Sequence, residues 1–224
     1  MTDIYLVRHC EAIGNVKRLF QGTTDLDISE LGATQLTFLT KRFENIPLDK
    51  VYSSPLIRTQ KTAKAIIGKR NLEIITEEGL IELHGGIIEG KSVKETFGKM
   101  PDLLDAWENH PEDFAPKDGE SMRHAYTRIW QTVLRLVREN QNKTIALATH
   151  GGVIRCLNCR ILHNDIKKLK DIPVSDNTGI THIRFDNNLN PTIISMNNSR
   201  HLPDTYLNRK GKFSQYINGE IKCL

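Results

Sequence analysis

The sequence predicts an α/β protein built on a mainly parallel sheet. Three short apolar runs, Ile4 to Val7, Val51 to Ser54 and Thr144 to Ala148, each end at a polar cluster, and an amphipathic stretch follows each of them. A strand followed by a helix, repeated along the chain, is the pattern of βαβ units with parallel strands. A chain of 224 residues is long enough for one large domain with a deep core.

The remaining elements follow from the spacing of apolar residues, from capping residues and from turn residues. These rules predict a helix entered through Ser29 and running to Phe43, a helix from Leu56 to Gly68, a third strand from Leu72 to Ile75, a long helix from Ser121 to Asn140 and a helix from Val153 to Leu162. Two edge strands, paired through the turn at residues 186–188, are expected at Ile180 to Phe185 and Thr192 to Met196.

The regular pattern breaks between about residues 77 and 120, where glycines and prolines interrupt short helical pieces. We expect this stretch to be a helical cap inserted into a single domain that spans residues 1–224. The expected architecture is therefore three layers, α/β/α, around a mixed, mainly parallel sheet.

Composition favours a soluble globular protein with a small anionic ligand. The formal charge of +4 comes from 31 basic against 27 acidic residues that are spread along the chain, so nucleic acid is not an expected partner. No apolar stretch approaches the ~20 residues of a membrane span, and the N-terminus does not resemble a signal peptide. We expect a cytoplasmic protein that does not bind membranes.

The four cysteines are Cys10, Cys156, Cys159 and Cys223. Their spacing does not resemble a disulfide framework, which agrees with a reducing compartment. Cys156 and Cys159 form a CxxC with His163 nearby, a pattern that fits either a zinc site or two buried thiols of a helix. Helical spacing favours the buried thiols, so we expect no metal.

Several basic side chains stand where predicted strands end. Arg8 and His9 end the first strand, Arg58 follows the second strand through a proline turn, and His150 precedes two glycines after the strand at Thr144. In open α/β sheets, ligands bind outside the carboxyl ends of the strands, so these groups can share one pocket. Guanidinium groups and helix N-termini bind phosphate well. The pattern predicts a phosphate site.

A neutral imidazole in such a pocket can act as a nucleophile, and the leaving alkoxide then needs a proton. Glu82 is a candidate general acid because partial burial near the cap would keep its carboxyl protonated. On composition alone, Glu11, Glu89 and Glu120 compete with it.

The residues also resemble a known family. Leu6 to Ala12, with Gly14-Asn15 after it, is similar to the signature of the histidine phosphatase superfamily, which is also called phosphoglycerate mutase-like. The similarity continues through Phe20-Gln21-Gly22, Asp25 to Asp27, Leu31-Gly32, Ser53 to Thr59, Leu80 to Glu82, Glu89-Gly90, Gly119 to Ser121 and Thr149 to Gly152. The chain departs from the family at Cys10, where Gly is usual, and at Ala12, where Thr or Ser is common.

The resemblance implies that His9 is the phosphorylated nucleophile and that Glu82 is the proton donor. It implies that the phosphate is held by Arg8, Arg58, His150, Asn15, Gln21 and the amide of Gly151. It also implies a mixed, mainly parallel sheet with an inserted helical part over the site.

The predicted activity is metal-independent hydrolysis of a small phosphorylated metabolite, without a cofactor. Two alternatives are a phosphoglycerate mutase and a phosphate-binding protein that has lost its chemistry. The insertion typical of mutases is not evident between Glu82 and Ser121, and the run from Asn198 to Leu202 resembles the phosphatases. The nucleophile and the acid are both present, which disfavours an inactive protein. The resemblance extends to broad-specificity phosphatases, α-ribazole phosphatase and sugar-bisphosphate phosphatases, and the sequence does not separate these substrates. It also leaves open whether the chain forms a homodimer and whether Cys10 is an inert small side chain or makes the activity sensitive to oxidation.

Overall fold

The computed structural model describes residues 1–207, so Cys223 and the end of the predicted 1–224 domain lie outside the described residues. Six strands form one sheet in this part of the chain. They are β1 (Thr2–Arg8), β2 (Lys50–Ser53), β3 (Ile74–Thr76), β4 (Thr144–Thr149), β5 (Ile180–Phe185) and β6 (Pro191–Asn198).

The strand order is β3-β2-β4-β1-β5-β6. The first four strands in this order are parallel, whereas β5 pairs antiparallel with both β1 and β6. The predicted α/β class with a mixed, mainly parallel sheet is confirmed. The prediction that β5 is an edge strand is wrong, because β5 adds to the outer side of β1 and only β6 lies at that edge. Which strands pair is decided by contacts between distant segments, and the local spacing of apolar residues does not predict those contacts.

Seven α-helices accompany the sheet in the described residues. They are α1 (Ile13–Val16), α2 (Glu30–Phe43), α3 (Ile57–Ile67), α4 (Val93–Gly98), α5 (Pro101–Glu108), α6 (Met122–Glu139) and α7 (Gly151–His163). The predicted cap of α2 forms, because the Ser29 hydroxyl accepts a hydrogen bond from the Gly32 amide at 3.0 Å. None of the helices within residues 1–207 has both the length and the apolar character of a membrane span.

The sheet is buried on both faces. Ile4 and Leu6 of β1 pack in the core with α6 and α7, whereas Val7 and the alanines Ala146 and Ala148 of β4 pack in the core with α2 and α3. Parallel strands that are covered by helices on both faces consist of nearly continuous apolar residues, which is why β1 and β4 can be recognised in the sequence. Burying one Leu or Ile side chain contributes about 1.5–3 kcal/mol to folding.

The segment between β3 and α6 contains α4, α5 and short 3₁₀ turns. An aromatic cluster ties this segment to the loop after α1. Phe20 packs against Trp107 with ring centroids 5.7 Å apart, and Trp107 packs against Phe114 at 4.9 Å. The segment is thereby attached to the part of the chain that carries Gln21 and Gly22.

The CxxC pair lies in α7, and both thiols are buried. The Cys156 sulfur lies 3.7 Å from the sulfur of Met122, and the Tyr126 hydroxyl lies 4.0 Å from the Cys159 sulfur. These contacts agree with the interpretation of Cys156 and Cys159 as core residues of a helix.

Candidate active site

The carboxyl ends of β2, β4 and β1 lie side by side and bring the predicted site residues together. The strand pairing continues past the strand ends, since the His9 amide donates to the Thr149 carbonyl at 2.9 Å and the Ser54 amide donates to the Ala148 carbonyl at 3.0 Å. His9 and His150 therefore face each other, with ring centroids 5.3 Å apart. Arg8 and Arg58 are both buried near them.

The hydrogen bonding of His9 defines its tautomer. Nδ1 lies 2.6 Å from the carbonyl oxygen of Cys10, which can only accept, so Nδ1 carries the proton and Nε2 keeps its lone pair. Burial lowers the pKa of His9 well below 6.5, and the nearby positive charges of Arg58 and Arg8 lower it further. His9 is therefore a neutral imidazole at physiological pH, with Nε2 as the atom able to attack an electrophile.

The two arginines are anchored by backbone carbonyls. Arg8 donates through Nη1 to the Ser175 carbonyl, and Arg58 donates to the carbonyls of Gly22 and Thr24, both at 2.8 Å. The Nε of each arginine is buried and has no hydrogen-bond partner within residues 1–207. Burial lowers the pKa of Arg8 to about 10, which leaves it charged at neutral pH. Buried cationic donors without partners are typical of a site that binds an anion.

His150 completes this set of donors. Its Nε2 lies 2.8 Å from the Ser54 hydroxyl, and its Nδ1 is buried without a hydrogen-bond partner in the described part of the chain. Burial first, and then Arg58 and Arg8, lower the pKa of His150 well below 6.5. If the Ser54 hydroxyl donates to Nε2, the proton of the neutral ring sits on Nδ1 and is available to an anion.

The three other predicted binding residues are Asn15, Gln21 and Gly151. The Asn15 side-chain oxygen accepts from the Ala12 amide at 3.0 Å, and the Gln21 side-chain oxygen is buried without a partner among residues 1–207. Gly151 begins α7, and a Cβ placed there would lie 3.3 Å from Nε of Arg8. Its amide is one of the N-terminal helix amides that favour an anion.

Glu82 lies beside the N-terminus of α7. Its Oε2 accepts from the Gly152 amide at 2.9 Å, and its Oε1 accepts from the Leu83 amide at 3.1 Å. Burial raises the pKa of Glu82, although these two hydrogen bonds and the charges of Arg58 and Arg8 oppose the shift. A carboxyl with a raised pKa next to an anion site has the property of a general acid.

A cleft of about 610 Å³ opens at Glu82. Its walls include Thr23, His84 and Ser121, which place polar groups along the route away from the anion site.

The three competing carboxyl groups have other partners. Glu89 accepts hydrogen bonds from the amides of Thr23, Thr24 and Gly85 and from the Thr24 hydroxyl. Burial acts to raise the pKa of Glu89, but these hydrogen bonds outweigh burial, so the pKa is lowered. Glu89 thus fixes the loop whose carbonyls hold Arg58.

Glu120 pairs with Arg128 and His124, each at 2.7 Å. Although burial opposes it, the hydrogen bonds from Arg128 lower the pKa of Glu120. Glu11 accepts from the Ser29 hydroxyl at 2.6 Å at the start of α2. Among Glu82, Glu89 and Glu120, Glu82 is the one whose pKa is raised overall, since hydrogen bonds outweigh burial at the other two.

Residues 175–178 support the site and were not predicted from the sequence. The Asn177 side chain donates to the His9 carbonyl at 2.9 Å and approaches the Asn15 side-chain oxygen at 3.4 Å. The Thr178 amide donates to the Arg8 carbonyl at 3.1 Å. The only local signal was the run of turn-forming residues before β5, which indicates a loop but not its partners.

Comparison with known proteins places this site in a family. The model of the histidine phosphatase superfamily (branch 1) matches residues 4–199. The chain belongs to this superfamily, which confirms the resemblance seen in the sequence. The family and its members named as phosphatases support phosphatase activity for this chain.

Among curated proteins, the chain is 31% identical over 207 residues to phosphoserine phosphatase 1 of Hydrogenobacter thermophilus, which covers 92% of this chain and 97% of the relative. Among solved structures, YhfR of Bacillus stearothermophilus is 29% identical with a TM-score of 0.85, over 90% of this chain and 99% of that one. A phosphoserine phosphatase mutant of Entamoeba histolytica in complex with phosphoserine is 30% identical with a TM-score of 0.78, over 91% and 100% of the two chains.

Proposed function

We propose that the protein hydrolyses a small phosphomonoester through a covalent phosphohistidine at His9. The observation that carries the proposal is the neutral His9, whose Nε2 keeps a lone pair near Arg8 and Arg58, two buried arginines whose Nε groups have no hydrogen-bond partner within residues 1–207. A neutral imidazole nitrogen can attack phosphorus, and surrounding positive charge stabilises the negative charge that spreads over the phosphoryl oxygens.

In the first step, Nε2 of His9 attacks phosphorus, and the bond from phosphorus to the alcohol oxygen breaks. Arg8, Arg58 and His150 donate to the nonbridging oxygens, where negative charge accumulates during transfer. Asn15, Gln21 and the Gly151 amide are positioned to contribute further contacts. Glu82 gives its proton to the departing oxygen, so the alcohol leaves neutral and Glu82 becomes a carboxylate.

In the second step, the Glu82 carboxylate takes a proton from water as the water oxygen attacks phosphorus. The bond from phosphorus to Nε2 breaks, and inorganic phosphate is released. The proton returns to Glu82 and His9 becomes a neutral imidazole again, so both groups are restored for the next cycle.

We also propose that the reaction needs no metal ion, because guanidinium groups supply the positive charge. The segment at about residues 77–120 is proposed to be a cap, because it supplies Glu82 and part of the cleft wall within a single domain.

The proposed substrate is a phosphorylated hydroxy acid or amino acid, with phosphoserine as the first candidate. Two lines support this choice. Relatives that match over more than 90% of the chain are named phosphoserine phosphatases, and the wall of the cleft at Glu82 includes Thr23, His84 and Ser121, whose polar side chains offer hydrogen-bond partners to a carboxylate or an amino group.

Phosphate release from phosphoserine, 3-phosphoglycerate and p-nitrophenyl phosphate, measured in excess EDTA, tests the proposal. We expect turnover of at least one alkyl phosphate and none by His9→Ala, with both proteins showing the same melting temperature. Activity that disappears in EDTA and returns with a divalent metal contradicts metal independence. Isomerisation of 3-phosphoglycerate without phosphate release would identify a mutase instead.

A further inference from the structure

Arg128 of α6 connects the proposed general acid to the rest of the fold. Its Nη1 donates to the Gly79 carbonyl at 2.8 Å and to the Ile81 carbonyl at 3.1 Å. The Ile81 carbonyl belongs to the peptide bond that joins Ile81 to Glu82. Arg128 therefore holds the backbone immediately before the carboxyl-bearing residue.

The other side of the guanidinium is fixed by Glu120. Nε and Nη2 of Arg128 donate to the two carboxylate oxygens of Glu120 at 2.8 and 2.7 Å, which is a bidentate pair. Both side chains are mostly buried, with exposed fractions of 18% and 11%. The planar guanidinium of Arg128 is thereby held in one orientation, with Nη1 directed at the loop that precedes Glu82.

The loop before Glu82 is anchored at three successive carbonyls. Arg128 binds those of Gly79 and Ile81, and the Thr149 hydroxyl donates to that of Leu80 at 2.7 Å. Thr149 is the residue before His150, so the loop is tied both to α6 and to the strand end that carries the phosphate pocket.

We propose that Arg128, oriented by Glu120, is a positioning residue that directs the carboxyl of Glu82 toward the leaving-group oxygen. The inference rests on the proposed role of Glu82 as the general acid. Arg128 also lines the cleft at Glu82, but its Nε, Nη1 and Nη2 donate to Glu120 and to two carbonyls, so we assign its effect to the peptide between Ile81 and Glu82. Its loss should therefore impair proton donation and leave nucleophilic attack by His9 largely unchanged.

Arg128→Lys tests this role because it keeps the positive charge but removes the guanidinium group that binds Glu120 and two carbonyls. A proton donor matters for an alkoxide leaving group and little for nitrophenolate, so kcat/KM is measured for propyl phosphate and p-nitrophenyl phosphate. A misplacement of 1 Å can cost ~100-fold, and for a partial displacement we expect Arg128→Lys to lose about 10-fold more on propyl phosphate than on p-nitrophenyl phosphate. Arg123→Lys, the same substitution at an exposed position of α6, is the control and should change neither value.

A double-mutant cycle with Glu82→Gln shows whether Arg128 acts through Glu82. If it does, adding Arg128→Lys to Glu82→Gln causes no further leaving-group-dependent loss. Equal losses on both substrates, a rise in KM alone, or additive losses in the cycle overturn the inference while the role of Glu82 stands. If Glu82→Gln itself shows no dependence on the leaving group, the proposed acid is wrong and the inference fails with it.

Glu120→Gln gives an independent test if Arg128→Lys does not fold. It removes the charge that orients the guanidinium, and we expect the same selective loss on propyl phosphate at a smaller magnitude. An unchanged ratio between the two substrates in a folded Glu120→Gln protein, judged by its melting temperature, counts against the positioning role.

Discussion

Because Gly152 is in close contact with Glu82, the substitution Gly152→Ala is expected to displace the carboxyl of Glu82 without removing any titratable group. A Cβ added at Gly152 would lie 2.4 Å from Oε1 of Glu82 and 3.0 Å from a methyl carbon of Leu83, whereas ordinary contact begins near 3.4 Å. In Gly152→Ala the carboxyl must therefore retreat by about 1 Å. Both opposing atoms are side-chain ends, so the backbone has no need to move.

The magnitude of the effect follows from that displacement. A misplacement of 1 Å can cost ~100-fold in rate, which corresponds to about 2.7 kcal/mol of transition-state stabilisation. We expect this loss in kcat/KM for phosphoserine or propyl phosphate and a loss of less than about 5-fold for p-nitrophenyl phosphate, which does not need the acid. The free energy of unfolding should change little, because the preference of Ala over Gly in a helix, up to about 1 kcal/mol, offsets part of the cost of moving the carboxyl away from the Gly152 amide.

Steady-state kinetics on the two substrates, together with thermal unfolding, are the assays. Gly98→Ala is the matched control, because no heavy atom lies within 4 Å of a Cβ added there. Equal losses on both substrates, or full activity on the alkyl phosphate, would refute the argument that the position of the Glu82 carboxyl limits proton donation.

Three further predictions concern His9, Glu82 and Cys10. Labelled substrate quenched in base should leave acid-labile phosphate on His9 of the wild type, and label on another residue in the peptide map would exclude His9 as nucleophile. Burial and the nearby arginines lower the pKa of His9, so the neutral nucleophile persists below pH 6.5, whereas burial raises the pKa of Glu82 above 4.5 and its proton is lost only at higher pH. The value of kcat/KM for an alkyl phosphate should therefore fall as pH rises through the pKa of Glu82, and an alkaline limb that survives in Glu82→Gln would belong to another group. Burial raises the pKa of Cys10 to about 12, so iodoacetamide at pH 7.5 should modify Cys10 in the unfolded chain but not in the native protein, as read by mass spectrometry. Rapid modification of the native thiol would contradict the burial and the raised pKa of Cys10.

Local patterns were sufficient for most of the fold. The apolar runs of β1 and β4 are evident in the sequence because both faces of a parallel strand are buried, and the amphipathic spacing of α6 is a local property. The predicted strand boundaries were less accurate. The third strand begins at Ile74 and not at Leu72, and β6 begins at Pro191 and not at Thr192. Both strands are only partly buried, so their apolar residues do not mark the ends clearly.

Sequence patterns also located the candidate site, because Arg8, His9 and His150 stand at strand ends and ligands bind at the carboxyl edge of such sheets. The family resemblance added Glu82, but composition alone could not separate it from Glu89 or the other two carboxyl groups.

The sequence by itself thus determined the class of fold, the edge of the sheet at which the candidate site lies and the residue types available there. Only the tertiary structure decided which tautomer His9 adopts, which carboxyl has a raised pKa and which residues support the site. Asn177 is 168 positions from His9 in the chain, yet it binds the His9 carbonyl. A pKa depends on burial and on charges contributed by distant segments, and a long-range hydrogen bond joins atoms that meet only after folding. Neither property can therefore be predicted from the local spacing of residues.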